Sequence, residues 1–151
     1  MPLLIIENMT INQKQDELIE EFSMFDEWMD KYENIIDYGK ELKGLTDNEK
    51  TEDNIVRGCQ SNVWLTAKEE EGKLVFNADS DAIITKGIIG LLLHIFSNHT
   101  PQEIATTELY ALEKIGLKEH LSPNRANGLV SMVQKIKMTA LAYRAKQNQD
   151  K

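Results

Sequence analysis

The hydrophobic positions change period twice along the chain. From Ile11 the apolar residues Leu18, Ile19, Phe22 and Phe25 recur at helical spacing, and Thr10 with Gln13 three residues later resembles a capping box. This predicts a first helix from Ile11 to Met24. Asp26 can cap a second, in which Trp28, Tyr32, Ile35, Ile36, Gly39 and Leu42 share one stripe and Gly44 supplies a left-handed end. Thr46 to Asn54 is polar and without period, as a surface loop or short capped turn would be. The period then falls to two. Val63, Leu65 and Ala67 alternate with Trp64, Thr66 and Lys68, a turn follows at Glu70-Glu71-Gly72-Lys73, and Leu74, Phe76 and Ala78 resume the alternation. Two antiparallel strands are expected, with Ile55–Arg57 as a candidate third.

The helical period returns after Ser80 or Asp81, either of which can cap. Ile83, Ile84, Ile88, Ile89, Leu91, Leu92, Leu93, Ile95 and Phe96 surround most of a helix, which must therefore be central to the core. Gly87 and Gly90 within it cost on the order of 1 kcal/mol each relative to Ala, which close backbone packing would offset. Thr100-Pro101-Gln102-Glu103 starts a short helix, another covers Leu109 to Ile115 and stops at Gly116, and Ser122-Pro123 opens the last, carried by Ala126, Leu129, Val130, Val133, Ile136, Ala140 and Leu141 toward Tyr143. The fold class is α+β, a small antiparallel β-sheet packed against several α-helices. Without repeat or linker, residues 1–151 form one domain, with 1–9 expected as an extended or disordered N-terminus and 146–151 as a frayed tail.

Charge narrows the function classes. Lys plus Arg number 17 against 25 Asp plus Glu, a net charge of −8, so the field repels phosphate backbones and anionic lipid. Nucleic acid is excluded as a primary partner. The acids concentrate in residues 1–75, with 18 acids and 8 bases against 7 and 9 in 76–151. That half can face a basic partner, or the acids can serve solubility alone. The apolar opening Met1–Ile6 carries no basic flank, and Ala82 to Phe96, broken by Lys86, falls short of the roughly 18 residues a membrane span needs. Neither a targeting signal nor a membrane partner is expected.

Metal and phosphate chemistry have no foothold in the pattern. The three histidines, His94, His99 and His120, are scattered and there is no second cysteine, so ligand spacing is missing, as are phosphate loops and nucleophile elbows. His94 reads as a partly buried core histidine with a hydrogen bond, His99 as exposed, and His120 as locally bonded. The single cysteine, Cys59, excludes an intrachain disulfide and points to a reducing, cytoplasmic compartment. Cys59 lies between a polar loop and a strand, after Gly58, where the backbone can turn sharply. A thiol there can protrude and exchange sulfur as its thiolate, or it can simply pack as a small hydrophobe. Arg57 is adjacent in sequence, but alternate residues of an extended chain face opposite ways.

Gly58-Cys59-Gln60-Ser61-Asn62-Val63-Trp64 resembles the GCQSxVW signature of the SufE family, cysteine desulfuration proteins of iron–sulfur cluster assembly. Asp79-Ser80-Asp81-Ala82-Ile83-Ile84-Thr85-Lys86-Gly87 is similar to the family's DSDAxIVKG, Thr100-Pro101-Gln102-Glu103-Ile104 to its TPxEI, and Gly116 through Leu129 to its GLxxHLSPxRxNGL. The order is the same and the resemblance spans Thr10 to Ala145, with Asn62 at a variable position and Thr85 where the family often has Val.

The resemblance implies a SufE/IscU-like fold and a sulfur acceptor. A pyridoxal-phosphate cysteine desulfurase of the SufS type would hold sulfur as a persulfide, Cys59 would take it, and a SufBCD-like scaffold would receive it. The pyridoxal phosphate belongs to the desulfurase, so no cofactor is expected on this chain. Gly58, Gln60 and Ser61 are expected to shape the loop. Asp81 can cap its helix or face the partner, and Arg125 can stabilise a thiolate or persulfide, bind a partner carboxylate, or sit in a local ion pair. Relay to another pathway such as transfer RNA thiolation, a non-catalytic acidic adaptor and a thiol redox sensor are the competing functions. Whether the chain is an enzyme in its own right, or forms a homodimer, stays open.

Overall fold

A computed structural model describes residues 9–149. The expectation for the N-terminus falls, Met9 apart, outside them. Helix α1 (Ile11–Ser23) opens on the expected reciprocal box, Thr10 Oγ1 accepting from Gln13 N–H and Gln13 Oε1 from Thr10 N–H. Helix α2 (Trp28–Lys40) starts one residue later than expected: Glu27 stands at the cap position without a side-chain bond, and Asp26 caps nothing. It ends at Lys40, so Gly44, although left-handed at φ 77°, serves the following turn rather than the helix.

Strands β1 (Val63–Glu70) and β2 (Lys73–Ser80) form an antiparallel hairpin in register Val63 to Ser80 through Glu70 to Lys73. Its two-residue turn puts both Glu71 (φ 54°) and Gly72 (φ 83°) in the left-handed region, matching the twist of the strands. The candidate third strand at Ile55–Arg57 does not form; it supplies one bridge, Ile55 to Trp64, because only Val56 N–H reaches a strand carbonyl, that of Val63 at 2.8 Å. On the opposite edge Ser97 to His99 bonds to Leu74 and Phe76, so both sides of the hairpin are covered.

Helix α3 (Ile83–Phe96) runs through the centre, with Ile88, Ile89, Leu91, Leu92, Ile95 and Phe96 buried. It crosses α2 backbone to backbone: a Cβ on Gly87 would stand 2.5 Å from the Ile35 carbonyl oxygen, and one on Gly90 2.5 Å from that of Tyr38. These glycines are required by the crossing. Leu74, Phe76 and Ala78 cover α3 from the hairpin side.

Helix α4 (Pro101–Thr106) has the expected box, Thr100 with Glu103, and α5 (Ala111–Ile115) ends at left-handed Gly116. Helix α6 (Pro123–Gln149) is a single helix that carries past the expected frayed start at Lys146, since Gln147 bonds Glu69 and the Gly72 carbonyl on the hairpin. Short 3-10 turns at Glu52–Asn54 and Lys118–His120 complete the architecture, which is α+β as the pattern predicted.

His99 is the clearest misplacement. It is buried, with Nδ1 3.0 Å from the Ser97 carbonyl and Nε2 2.9 Å from that of Met9. His94 packs edge-on against Tyr38 with ring centroids 5.1 Å apart, and burial lowers its pKa. An aromatic contact replaces the expected hydrogen bond.

Candidate functional site around Cys59

Gly58 turns the chain at φ +96°, a region a side chain rarely enters, and a Cβ there would collide with Ser131 Oγ of α6. The turn presses Cys59 against α6. Its thiol is half-buried and donates to the Gly128 carbonyl at 3.6 Å, a weak sulfur bond. Burial pushes the Cys59 pKa up, so the resting group is the neutral thiol.

The thiol opens onto a cleft of about 100 Å³. Ala82, Thr85 and Ile88 of the α3 region form one wall, Asn124, Arg125, Gly128 and Met132 of α6 the other, and Gln60 and Ser61 the rim. Gln60 Oε1 accepts from Asn124 Nδ2 at 3.2 Å and joins the cysteine loop to the first turn of α6. Arg125 is exposed, its N–H donating to Ser122 Oγ at 3.3 Å. Among the described residues no carboxylate pairs with its guanidinium, so the local ion pair does not form. Arg57 pairs instead with Glu52 at 3.7 Å, both side chains exposed, and takes no part in the cleft.

Neither Ser80 nor Asp81 caps α3. Asp81 is drawn to Asn62, accepting from its N–H at 3.2 Å and from Nδ2 at 2.9 Å, while Ser80 Oγ donates to the Asn62 carbonyl at 2.8 Å. Ser80 and Asp81 thus hold the chain three residues after the cysteine. Asp79 itself turns elsewhere, accepting from Leu45 N–H at 3.0 Å and pairing with Lys50 and Lys86 at 3.5 and 3.3 Å. Burial would raise its pKa, but the hydrogen bonds from Leu45, Ser80 and Lys86 outweigh it and hold the carboxyl low.

The cleft joins Cys59, Gln60, Ser61 and Arg125; Gly58 lies outside its lining and shapes the turn against Ser131, while Asp81 acts from behind through Asn62. Asn62 and, in the cleft walls, Ala82, Thr85, Ile88, Asn124, Gly128 and Met132 are the contributors that sequence reasoning passed over. Gly128 and Asn124 lie inside the quoted motifs, which offered a signal; Met132 offered only helical period. No group of three His, Cys, Asp or Glu side chains able to hold a metal occurs among the described residues.

Residues 16–140 match the SufE family model, described as an Fe-S metabolism associated domain. The chain belongs to the SufE family. Its relatives include an uncharacterized SufE-like protein of Rhizobium meliloti (strain 1021), 43% identical over 132 residues, covering 83% of this chain and 93% of that one. An uncharacterized SufE-like protein of Synechocystis is 33% identical over 147 residues, covering 97% and 92%. The solution structure of a hypothetical protein from Thermus thermophilus superposes with a TM-score of 0.71 over 85% of this chain and 94% of that one; at 19% identity it speaks to the fold alone. SufE membership associates the chain with Fe–S metabolism. No helix of the described residues is long and apolar enough to cross a membrane.

Proposed function

We propose that this SufE-family protein is a sulfur acceptor that takes the outer sulfur of a persulfide held by a pyridoxal-phosphate cysteine desulfurase onto Cys59 and relays it to an iron–sulfur scaffold. The observation that carries the reading is the half-buried Cys59 thiol at the mouth of a small cleft that an exposed arginine, Arg125, also lines. The transfer is thiol exchange. Cys59 sulfur, as thiolate, attacks the desulfurase's outer sulfur; the bond between outer and inner sulfur breaks, and the desulfurase cysteine leaves as a thiolate and takes the proton. One persulfide and one thiol are exchanged for another pair, with no net oxidation. The pyridoxal phosphate that releases sulfur from cysteine stays on the partner.

The arrangement suits a carrier better than a free nucleophile. A neutral, half-buried thiol resists stray oxidants, since only the thiolate reacts. Docking must then raise the thiolate fraction, and Arg125 offers a cation in the same cleft. The room of about 100 Å³ beside Cys59 exceeds the few tens of Å³ that one further sulfur needs.

Intact mass after incubation with desulfurase, pyridoxal phosphate and cysteine tests the reading. A reducible gain of about 32 Da, lost in Cys59→Ser, is expected. Arg125→Ala should slow the gain about tenfold, the loss of one charge-assisted contact. No gain with active desulfurases would overturn the acceptor role, and stimulation surviving in Cys59→Ser would favour an adaptor.

A further inference from the structure

Trp28, the first residue of α2, lies flat on His120, with ring centroids 3.8 Å and planes 19° apart. One turn on, Tyr32 donates its hydroxyl to the His120 carbonyl at 2.9 Å and meets Trp28 edge-on at 5.3 Å. A single turn of α2 therefore grips residue 120 by its ring and by its backbone. Trp28 Nε1 is buried and meets no acceptor among the described residues, which marks the ring's position as set by the stack rather than by the indole N–H. His120 itself is exposed, so burial alone does not explain its placement.

From His120 the chain leads straight to the cysteine. Ser122, two residues on, accepts the Arg125 N–H at the start of α6; Asn124 bonds Gln60; and the Gly128 carbonyl accepts from the thiol. The first turns of α6 are a wall of the cleft. We propose that the Trp28–His120 stack is a latch that fixes the first turns of α6 over Cys59 and so sets how far the thiol is open. His120 is then a positioning residue that acts through Ser122 to Gly128 and never touches sulfur. The inference deepens the sulfur-acceptor reading and rests on that reading for its biological consequence.

Iodoacetamide alkylation of Cys59 in the folded protein, followed against pH below the melting point, tests the latch without a desulfurase. His120→Ala should be alkylated about fivefold faster than wild type, the scale of losing one aromatic pair, with its pH midpoint moved down toward the ordinary thiol range. His120→Phe keeps a flat ring on Trp28 and should return rate and midpoint toward wild type. Tyr32→Phe, which removes one hydroxyl only, keeps the test decisive if His120→Ala does not fold, and should raise the rate by a smaller factor. A lowered melting temperature in His120→Ala with alkylation rate and midpoint unchanged would reduce the stack to a structural contact and overturn the proposal. Faster alkylation in the variants of a wild type that takes no sulfur would leave the latch standing and reject the acceptor reading instead.

Discussion

At the scale of single residues, Cys59 and Asp79 show opposite uses of burial. The thiol loses water and gains only a weak sulfur contact to Gly128, so its pKa rises; the carboxyl loses water but gains two backbone N–H groups and two lysines, and its pKa falls. For Cys59 the expected outcome is an alkylation rate that keeps climbing with pH beyond the ordinary thiol range of about 8.5, measured on the folded protein, and that levels off near this value once the chain is unfolded in urea. For Asp79 the sign runs the other way. A carboxyl held low in the folded state contributes stability that is present above its unfolded value of about 4 and is lost as pH falls through the folded value. Asp79→Asn should therefore unfold about 1 to 3 kcal/mol more easily at neutral pH in urea titration, with a shallower loss of stability below about pH 4. The Asp79 role was hidden in the sequence because its partners lie in two distant segments, Leu45 and Lys50 in the loop after α2 and Lys86 in α3. His99 was misread for the same reason: the carbonyl that holds its Nε2 belongs to Met9, 90 positions earlier.

At the scale of elements, local chemistry made most of the fold legible. The Thr10–Gln13 and Thr100–Glu103 boxes close within one turn, so four residues suffice to define each start. The hairpin was equally legible, since alternation and a Glu-Gly turn fix its register. Helix α3 was legible in its burial but not in its start, because Asp81 answers to Asn62 across the hairpin end rather than to its own helix. The α2–α3 crossing is where element geometry is least forgiving. Gly90→Ala would drive a methyl group against the Tyr38 carbonyl and is expected to destabilise by about 2 to 3 kcal/mol in thermal or urea unfolding. The same substitution at Gly72, where nothing lies within 4 Å, meets no such neighbour and should cost only the strain of its left-handed backbone, about 1 kcal/mol.

At the scale of the whole molecule, packing three helices around α3 buries a charge. Lys14 reaches the Ser97 carbonyl at 3.3 Å from α1, and burial, with Lys73 adding, lowers its pKa to about 8. A lysine lowered on folding binds fewer protons in the native state, so stability rises with pH from about 8 toward its unfolded value. Cys59 and Tyr38, both raised, act in the opposite sense at higher pH. The expected outcome is a melting temperature that climbs between about pH 8 and 9, and a Lys14→Met variant that lacks the climb and is the more stable of the two at pH 7.

Period, capping and turn chemistry act over a few residues, and from them the sequence alone determined two capped helix starts, the hairpin and the central apolar helix. Its ordered motifs also singled out Cys59 and pointed to the SufE family. Only the tertiary structure decided what surrounds the thiol. Asn124 and Gly128 reach the cysteine loop from 64 and 69 positions further along, and they arrive there because Gly58 lets the loop close on α6. The burial that keeps the thiol neutral follows from that packing, which no stretch of sequence around residue 59 contains.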